Sequence, residues 1–181
     1  MVGAGTTSCG LSAFATTQWH ALMSLIIRRV VTGHDENGRA VLKIDSPVNN
    51  VITRRAGVES SLIWSTKGFP VDNDSFADPT ASDPTTTISN GTAFRILQLE
   101  PGHAQRLHRT DSIDYAVVMQ GEVDMELEAG ISTRLKAGDV IVQRGTIHNW
   151  RNPGPGTCVI AFILIAAKSV TVGGKALKAE G

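Results

Sequence analysis

An all-β fold, a barrel or sandwich of two antiparallel sheets, is what this 181-residue sequence predicts. Two observations carry the expectation. From Ile26 onward, short β-branched or alternating runs arrive roughly every 8–12 residues, and Gly, Pro, Asn and Asp punctuate the gaps. The most apolar stretch, "CVIAFILIAA" at 158–167, covers about half of what a helix needs to cross a bilayer, so it reads as a buried strand. The length suits one domain with a sizeable core.

Each element follows in order. Residues 1–22 are small and polar, lack a basic residue before their weak apolar part, and show no periodic apolar face. They are expected to be a disordered leader, with Met23 as a second candidate start. "IIRRVVTG" and "AVLKID" flank the turn "HDENGR", and "NVITRR" and "SLIWST" follow. Residues 67–92, rich in Pro, Asp, Ser and Thr, form a long loop, either a lid or a disordered segment. "AFRILQLEPG" is a strand closed by a Pro-Gly turn, and "DYAVVMQGEVDMELEAG" is two strands bent at Gly121. "STRLKAGDVIVQRG" reads as a hairpin through Lys136, Ala137 and Gly138, and "HNWRNPGPGTCVIAFILIAA" as another through 153–156.

Composition narrows the partners. Seventeen basic residues balance seventeen acidic ones and neither sign gathers into a run, so neither nucleic acid nor a membrane is the expected partner. A small molecule is. Cys9 and Cys158 have no metal-type spacing, which fits a reduced, cytoplasmic protein without a disulfide framework.

Strand parity then assembles a site. Alternate residues of a strand share a face, so an inward His108 brings Thr110 and Asp114 with it. His148 opens the strand "HNWRN" and shares its face with Trp150 and Asn152. Two imidazoles and a carboxylate from different strands are thereby aimed into one interior.

The spacings around these residues resemble those of the cupin family. Its first motif, Gly, five residues, His-x-His, three or four residues, Glu, six residues, Gly, is matched in spacing by Gly102, His108, Thr110, Asp114 and Gly121. Thr110 replaces the second histidine, and Asp114 replaces the glutamate. The second motif is followed in order by Gly138, Asp139, Gly145, His148 and Asn152, with its turn one residue shorter and Arg144 where proline is usual. Upstream, "RRVVTGHDENGRAV" and "LIWSTKGFP" are similar to small single-domain members, some of which accompany polyketide pathways in decarboxylation, dehydration or cyclisation steps.

The resemblance implies a double-stranded β-helix or jelly-roll barrel. Its core is expected at 92–170, with N-terminal strands and the long loop at 23–91 packing on it and a tail at 171–181. It also implies a homodimer, in which the strands at 26–44 cover an exposed sheet edge of the partner.

Typical members hold one divalent ion such as iron, manganese, zinc or nickel. Here the ligands would be His108, Asp114 and His148, and two histidines with one carboxylate is a known donor set. Aspartate, however, reaches about 1 Å less far than glutamate, and a threonine hydroxyl is a poor ligand. A metal-free barrel with a polar cavity floor is the competing expectation.

In either case His108, His148 and Asp114 are the catalytic candidates, with the histidines as proton shuttles and the carboxylate orienting them. Thr110 and Trp150 are the substrate-binding candidates, although Trp150 also suits core packing. His103 reads as a solvated turn residue able to replace the missing ligand, and His20 and His34 have no role. Tyr115 is expected outside the cavity, and of Arg95 and Gln98 at most one faces in. The expected function is a lyase- or isomerase-type step on a small carbonyl or carboxylate compound. The alternatives are a ligand-binding protein without turnover and a metal-dependent dioxygenase.

Overall fold

The computed structural model describes residues 26–74, 76–81 and 86–181. The expected leader, 1–22, lies outside them, as do Cys9 and His20. The described chain contains thirteen strands and two short 3-10 turns, and none of its helices is long and apolar enough to cross a membrane.

β1 (Arg28–His34) and β2 (Ala40–Pro47) form a two-stranded hairpin of their own. Asp35 closes its turn by accepting hydrogen bonds from the main-chain N–H groups of Asn37 and Arg39, each at 2.9 Å. β3 (Val51–Arg55), β4 (Val58–Lys67), β5 (Gly91–Leu99), β6 (Ser112–Gln120), β9 (Val140–Arg144) and β11 (Cys158–Ala166) build the main sheet, in the order β3-β4-β5-β11-β6-β9. β7 (Glu122–Leu127), β8 (Ser132–Lys136) and β10 (His148–Arg151) build a second sheet, in the order β10-β7-β8. Every pairing is antiparallel. β12 (Val170–Val172) and β13 (Lys175–Leu177) form a terminal hairpin.

The core fills the space between the two sheets. Leu62, Leu99, Val118, Val123 and Ile160 are almost wholly excluded from water. Each contributes about 2 kcal/mol of transfer free energy. β11 is central and covered on both faces, which explains its unbroken apolar run. Ile160, Phe162 and Leu164 point into the main core, while Val159 and Ala161 pack with Ile63 and Ile96 under Ile27 and Val48.

Two expected hairpins are not hairpins. β8 pairs with β7 and β9 with β6, so the turn through Gly138 passes from one sheet to the other. Likewise β10 pairs with β7, whereas β11 pairs with β5 and β6. The turn residues have hairpin chemistry, but packing sends the strands on either side to opposite sheets. A further crossing, from β6 to β7, is the bend expected at Gly121. There φ is +74°, and a Cβ would lie 3.0 Å from the Thr157 carbonyl oxygen, so only glycine fits.

The boundary expected at residue 92 does not interrupt the sheet. β4 pairs with β5 along its length, from Val58 opposite Leu99 to Lys67 opposite Gly91. The residues expected as a tail also return to the body, because Arg109 and Glu180 form an antiparallel bridge and an ion pair at 3.1 Å.

Candidate functional site

The segment before β6 and the start of β10 meet at one point. His108 N–H donates to the His148 carbonyl at 3.0 Å, and His148 N–H donates to the His108 carbonyl at 2.9 Å. This reciprocal bridge puts the two residues directly opposite each other. Their imidazole centroids are 4.3 Å apart and the rings are tilted by 48°.

The orientation of each ring is fixed by the main chain. His108 Nδ1 lies 3.0 Å from the Arg106 carbonyl oxygen, and His148 Nδ1 lies 3.0 Å from that of Thr146. A carbonyl oxygen only accepts, so each Nδ1 carries the proton and each neutral ring keeps its lone pair on Nε2. Burial pulls the His108 pKa down to about 4, with help from the neighbouring His148, Arg106 and Arg55 charges and against the bond to Arg106. Burial also lowers that of His148. Both are neutral bases at pH 7.

Parity on β6 works as expected, with one addition. Thr110, Ser112 and Asp114 alternate onto one face, and all three are buried. The Ser112 hydroxyl lies 2.8 Å from Thr110 Oγ1 and 2.5 Å from Asp114 Oδ1. Thr110 therefore reaches the carboxylate through a serine that sequence reasoning passed over, although the same parity would have found it. Burial raises the Asp114 pKa, partly offset by the Ser112 hydrogen bond.

Trp150 follows His148 onto the same face and is 5% exposed. It packs edge-on against Phe162, with centroids 5.4 Å apart, and against His148 at 5.9 Å. Trp150 is thus both core and cavity wall. Asn152, next on that face, closes the following loop: its Nδ2 donates to the Leu99 and Gly156 carbonyls, and its Oδ1 accepts from Gly154 N–H.

These side chains enclose a cavity of about 90 Å³. Its polar wall is His108, His148, Asp114 and Thr110, and its apolar wall includes Trp150, Phe162 and Leu164. Arg54, Arg55, Arg95 and Arg106 also line it. Of the pair Arg95 and Gln98, the arginine faces in, and Gln98 turns to Glu59 at 3.3 Å on the other face. Arg54, Arg55 and Arg106 lie in or beside motifs that spacing rules do not read. Their convergence is visible only in the fold.

Other expectations resolve differently. His103 is 4% exposed, not solvated, and does not line the cavity. Its turn docks on the one between β3 and β4, with Ala104 N–H donating to the Ala56 carbonyl at 2.8 Å, and this shuts the imidazole in. Tyr115 is exposed, as its parity requires. His34 ends β1, apart from the cavity.

The expected metal set is not assembled. Among the described residues, no three His, Cys, Asp or Glu side chains come together as an ion requires. His108 and His148 pair closely, while Asp114, short by a methylene and tied to Ser112, shares the cavity without joining them.

A two-sheet antiparallel barrel with a buried, histidine-containing cavity between its sheets defines a class of small-molecule proteins. Comparison with known proteins gives the family. The Cupin domain family matches residues 95–165. The chain is 36% identical over 159 residues to phomopsin biosynthesis cluster protein C' of Diaporthe leptostromiformis, covering 82% of this chain and 83% of that one. It is 34% identical over 160 residues to oryzines biosynthesis cluster protein J of Aspergillus oryzae, covering 83% and 89%. It is also 34% identical over 173 residues to the cupin-domain-containing oxidoreductase fogC of Aspergillus ruber, covering 91% and 84%. Among solved structures it is similar to the Schizosaccharomyces pombe Cnp3 cupin domain, with a TM-score of 0.47, 14% identity, and 77% and 87% coverage. The protein belongs to the cupin superfamily.

Proposed function

We propose that this cupin is an enzyme that moves a proton on a small carbonyl or carboxylate compound, in a lyase- or isomerase-type step. The observation that supports the reading is the paired imidazoles. Each has its Nδ1 proton committed to a main-chain carbonyl, so two Nε2 lone pairs are left on neutral rings in one cavity. A base of that kind removes a proton from the carbon beside a carbonyl, and the electron pair moves to the carbonyl oxygen. The imidazolium then returns the proton to a leaving hydroxyl, which departs as water, or to another carbon. Neither route changes the oxidation level of the whole. Asp114, whose pKa burial raises, lines the same cavity with its Oδ1 accepting from the Ser112 hydroxyl.

The test is exchange in deuterated water. Acetoacetate and acetoacetamide are incubated with the protein, and deuterium entering the carbon between the two carbonyls is followed by NMR. Wild type is expected to accelerate exchange, and His108→Gln or His148→Gln to lower the rate about a hundredfold. Acceleration that survives in both variants counts against the assignment.

A redox step is the second reading, favoured by the name "oxidoreductase" that relatives such as fogC carry. Oxygen consumption without exchange would support it. Ligand binding with neither would leave a protein without turnover.

A further inference from the structure

The cavity's charge is one-sided in a chain whose seventeen basic residues otherwise match its seventeen acidic ones. Four arginines line it, and among the described lining residues the one carboxylic side chain is Asp114. Two of the four, Arg55 and Arg106, flank the histidine pair. Arg106 lies two residues before His108 on an extended segment, so the two side chains share a side. Its own carbonyl holds His108 Nδ1. Arg55 ends β3 and lines the same cavity.

Both guanidinium groups are anchored by main-chain oxygens. Arg55 Nε donates to the Ala104 carbonyl at 2.7 Å, and Arg106 Nη2 donates to a terminal carboxyl oxygen of Gly181 at 2.6 Å. Those partners fix the two forks in place. Both residues are half-buried. Burial lowers the Arg55 pKa, and the Arg106 charge lowers it further, as expected for two like charges facing one space.

We propose that Arg55 and Arg106 form a clamp for the carboxylate of an anionic substrate, holding it beside His108. The inference rests on the reading of this cavity as a substrate site and names the substrate's charge. A planar carboxylate meets a guanidinium fork through two parallel hydrogen bonds, and in a partly dry cavity that pairing is stronger than at the surface. The remaining wall, Trp150, Phe162 and Leu164, suits an organic body. A phosphate group is less well matched, because the described residues offer no α-helix N-terminus to cradle it. Carboxylate charge beside His108 also opposes the arginine charges that disfavour its protonation, so the bound acid prepares the base that acts on it.

The test uses the whole protein and needs no turnover. Malonate and malonamide share a skeleton and differ in charge, and their binding is measured by calorimetry at low and moderate salt. Malonate is expected to bind at least about tenfold more tightly than malonamide, and to weaken as salt rises. Arg55→Gln and Arg106→Gln are each expected to reduce malonate affinity by about tenfold or more, with circular dichroism confirming the fold. Equal binding of the two probes overturns the proposal, as does undiminished malonate affinity in both folded variants. Should a variant fail to fold, the wild-type ratio of malonate to malonamide decides the matter alone. Inorganic phosphate binding more tightly than malonate overturns the carboxylate assignment. Malonate binding through the arginines, with no exchange on acetoacetate, refutes the proton-transfer reading and leaves the clamp standing. Exchange on acetoacetamide as fast as on acetoacetate refutes the clamp and leaves proton transfer standing.

Discussion

His108 and His148 exchange both of their main-chain hydrogen bonds, so their imidazoles are held 4.3 Å apart by backbone rather than by side-chain packing alone. The charge on one ring is therefore felt by the other at fixed distance. The His148 charge is among the causes that lower the His108 pKa to about 4. Replacing His148 by Gln is expected to move the His108 titration upward, measured by NMR of the ring nitrogens. A midpoint still near 4 would show that burial alone sets it.

Stability should depend on pH in a defined direction. Below about 6.5, the ordinary histidine value, the unfolded chain takes a proton at this residue that the folded chain refuses until about pH 4. The unfolded state then binds more protons, so stability is full above 6.5 and is lost as pH falls across that window. Asp114 acts in the opposite sense, since its raised pKa costs stability as pH rises through it. Urea midpoints between pH 7 and 4.5 should fall with acidity in wild type and fall less in His108→Gln. An identical slope in the variant would exclude His108 as the source.

Trp150 joins the cavity to the core through its edge contacts with His148 and Phe162. Trp150→Ala should destabilise the protein by about 3–5 kcal/mol, and Trp150→Phe by clearly less, in chemical denaturation. A loss below about 1 kcal/mol for the alanine variant would mean that the ring serves the ligand and not the fold.

Thr110 tests the donor count. Wild type, with two imidazoles paired and Asp114 apart, is expected to hold much less than one equivalent of iron, manganese, zinc or nickel when purified without a histidine tag. Thr110→His with Asp114→Glu adds a third imidazole and a longer carboxylate, and should raise metal content towards one per chain by mass spectrometry of the metals. Full occupancy in wild type that persists in His108→Ala would contradict the ligand geometry described above.

Assembly is the remaining expectation. Val140 and Val142 on edge strand β9 are exposed, as are Val30 and Leu42 on the β1–β2 hairpin. A homodimer that covers such apolar edge and hairpin residues removes both from water. Sedimentation at micromolar concentration should give the mass of two chains, and Leu42→Lys or Val142→Lys should weaken the pair. A wild-type monomer would refute it.

The site was more legible in the sequence than the connectivity. His108, Thr110, Asp114 and His148 line one cavity, as parity requires, because strand parity is a local property and the motif spacings fix where each strand starts. The sheet to which each strand belongs is not local. The turns through Gly138 and 153–156 have ordinary hairpin residues, and only core packing decides that they cross between sheets. Ser112 was within reach of the same parity argument. Arg55 and Arg106 were not, because their convergence depends on β3 and the segment before His108 meeting across the fold. His103 is buried for the same kind of reason: two turns dock over it, which composition does not record.

The position of β11 has a consequence for how the chain comes off the ribosome. It is the central strand of the main sheet, between β5 and β6, yet it follows both in sequence by tens of residues. During synthesis β4 and β5 can pair, and β6 can pair with β9, but the two halves stay unjoined with inner edges bare until residue 166 has emerged. Nascent chains that stall before β11 should therefore bind chaperones or aggregate, while those released beyond it close in one late step.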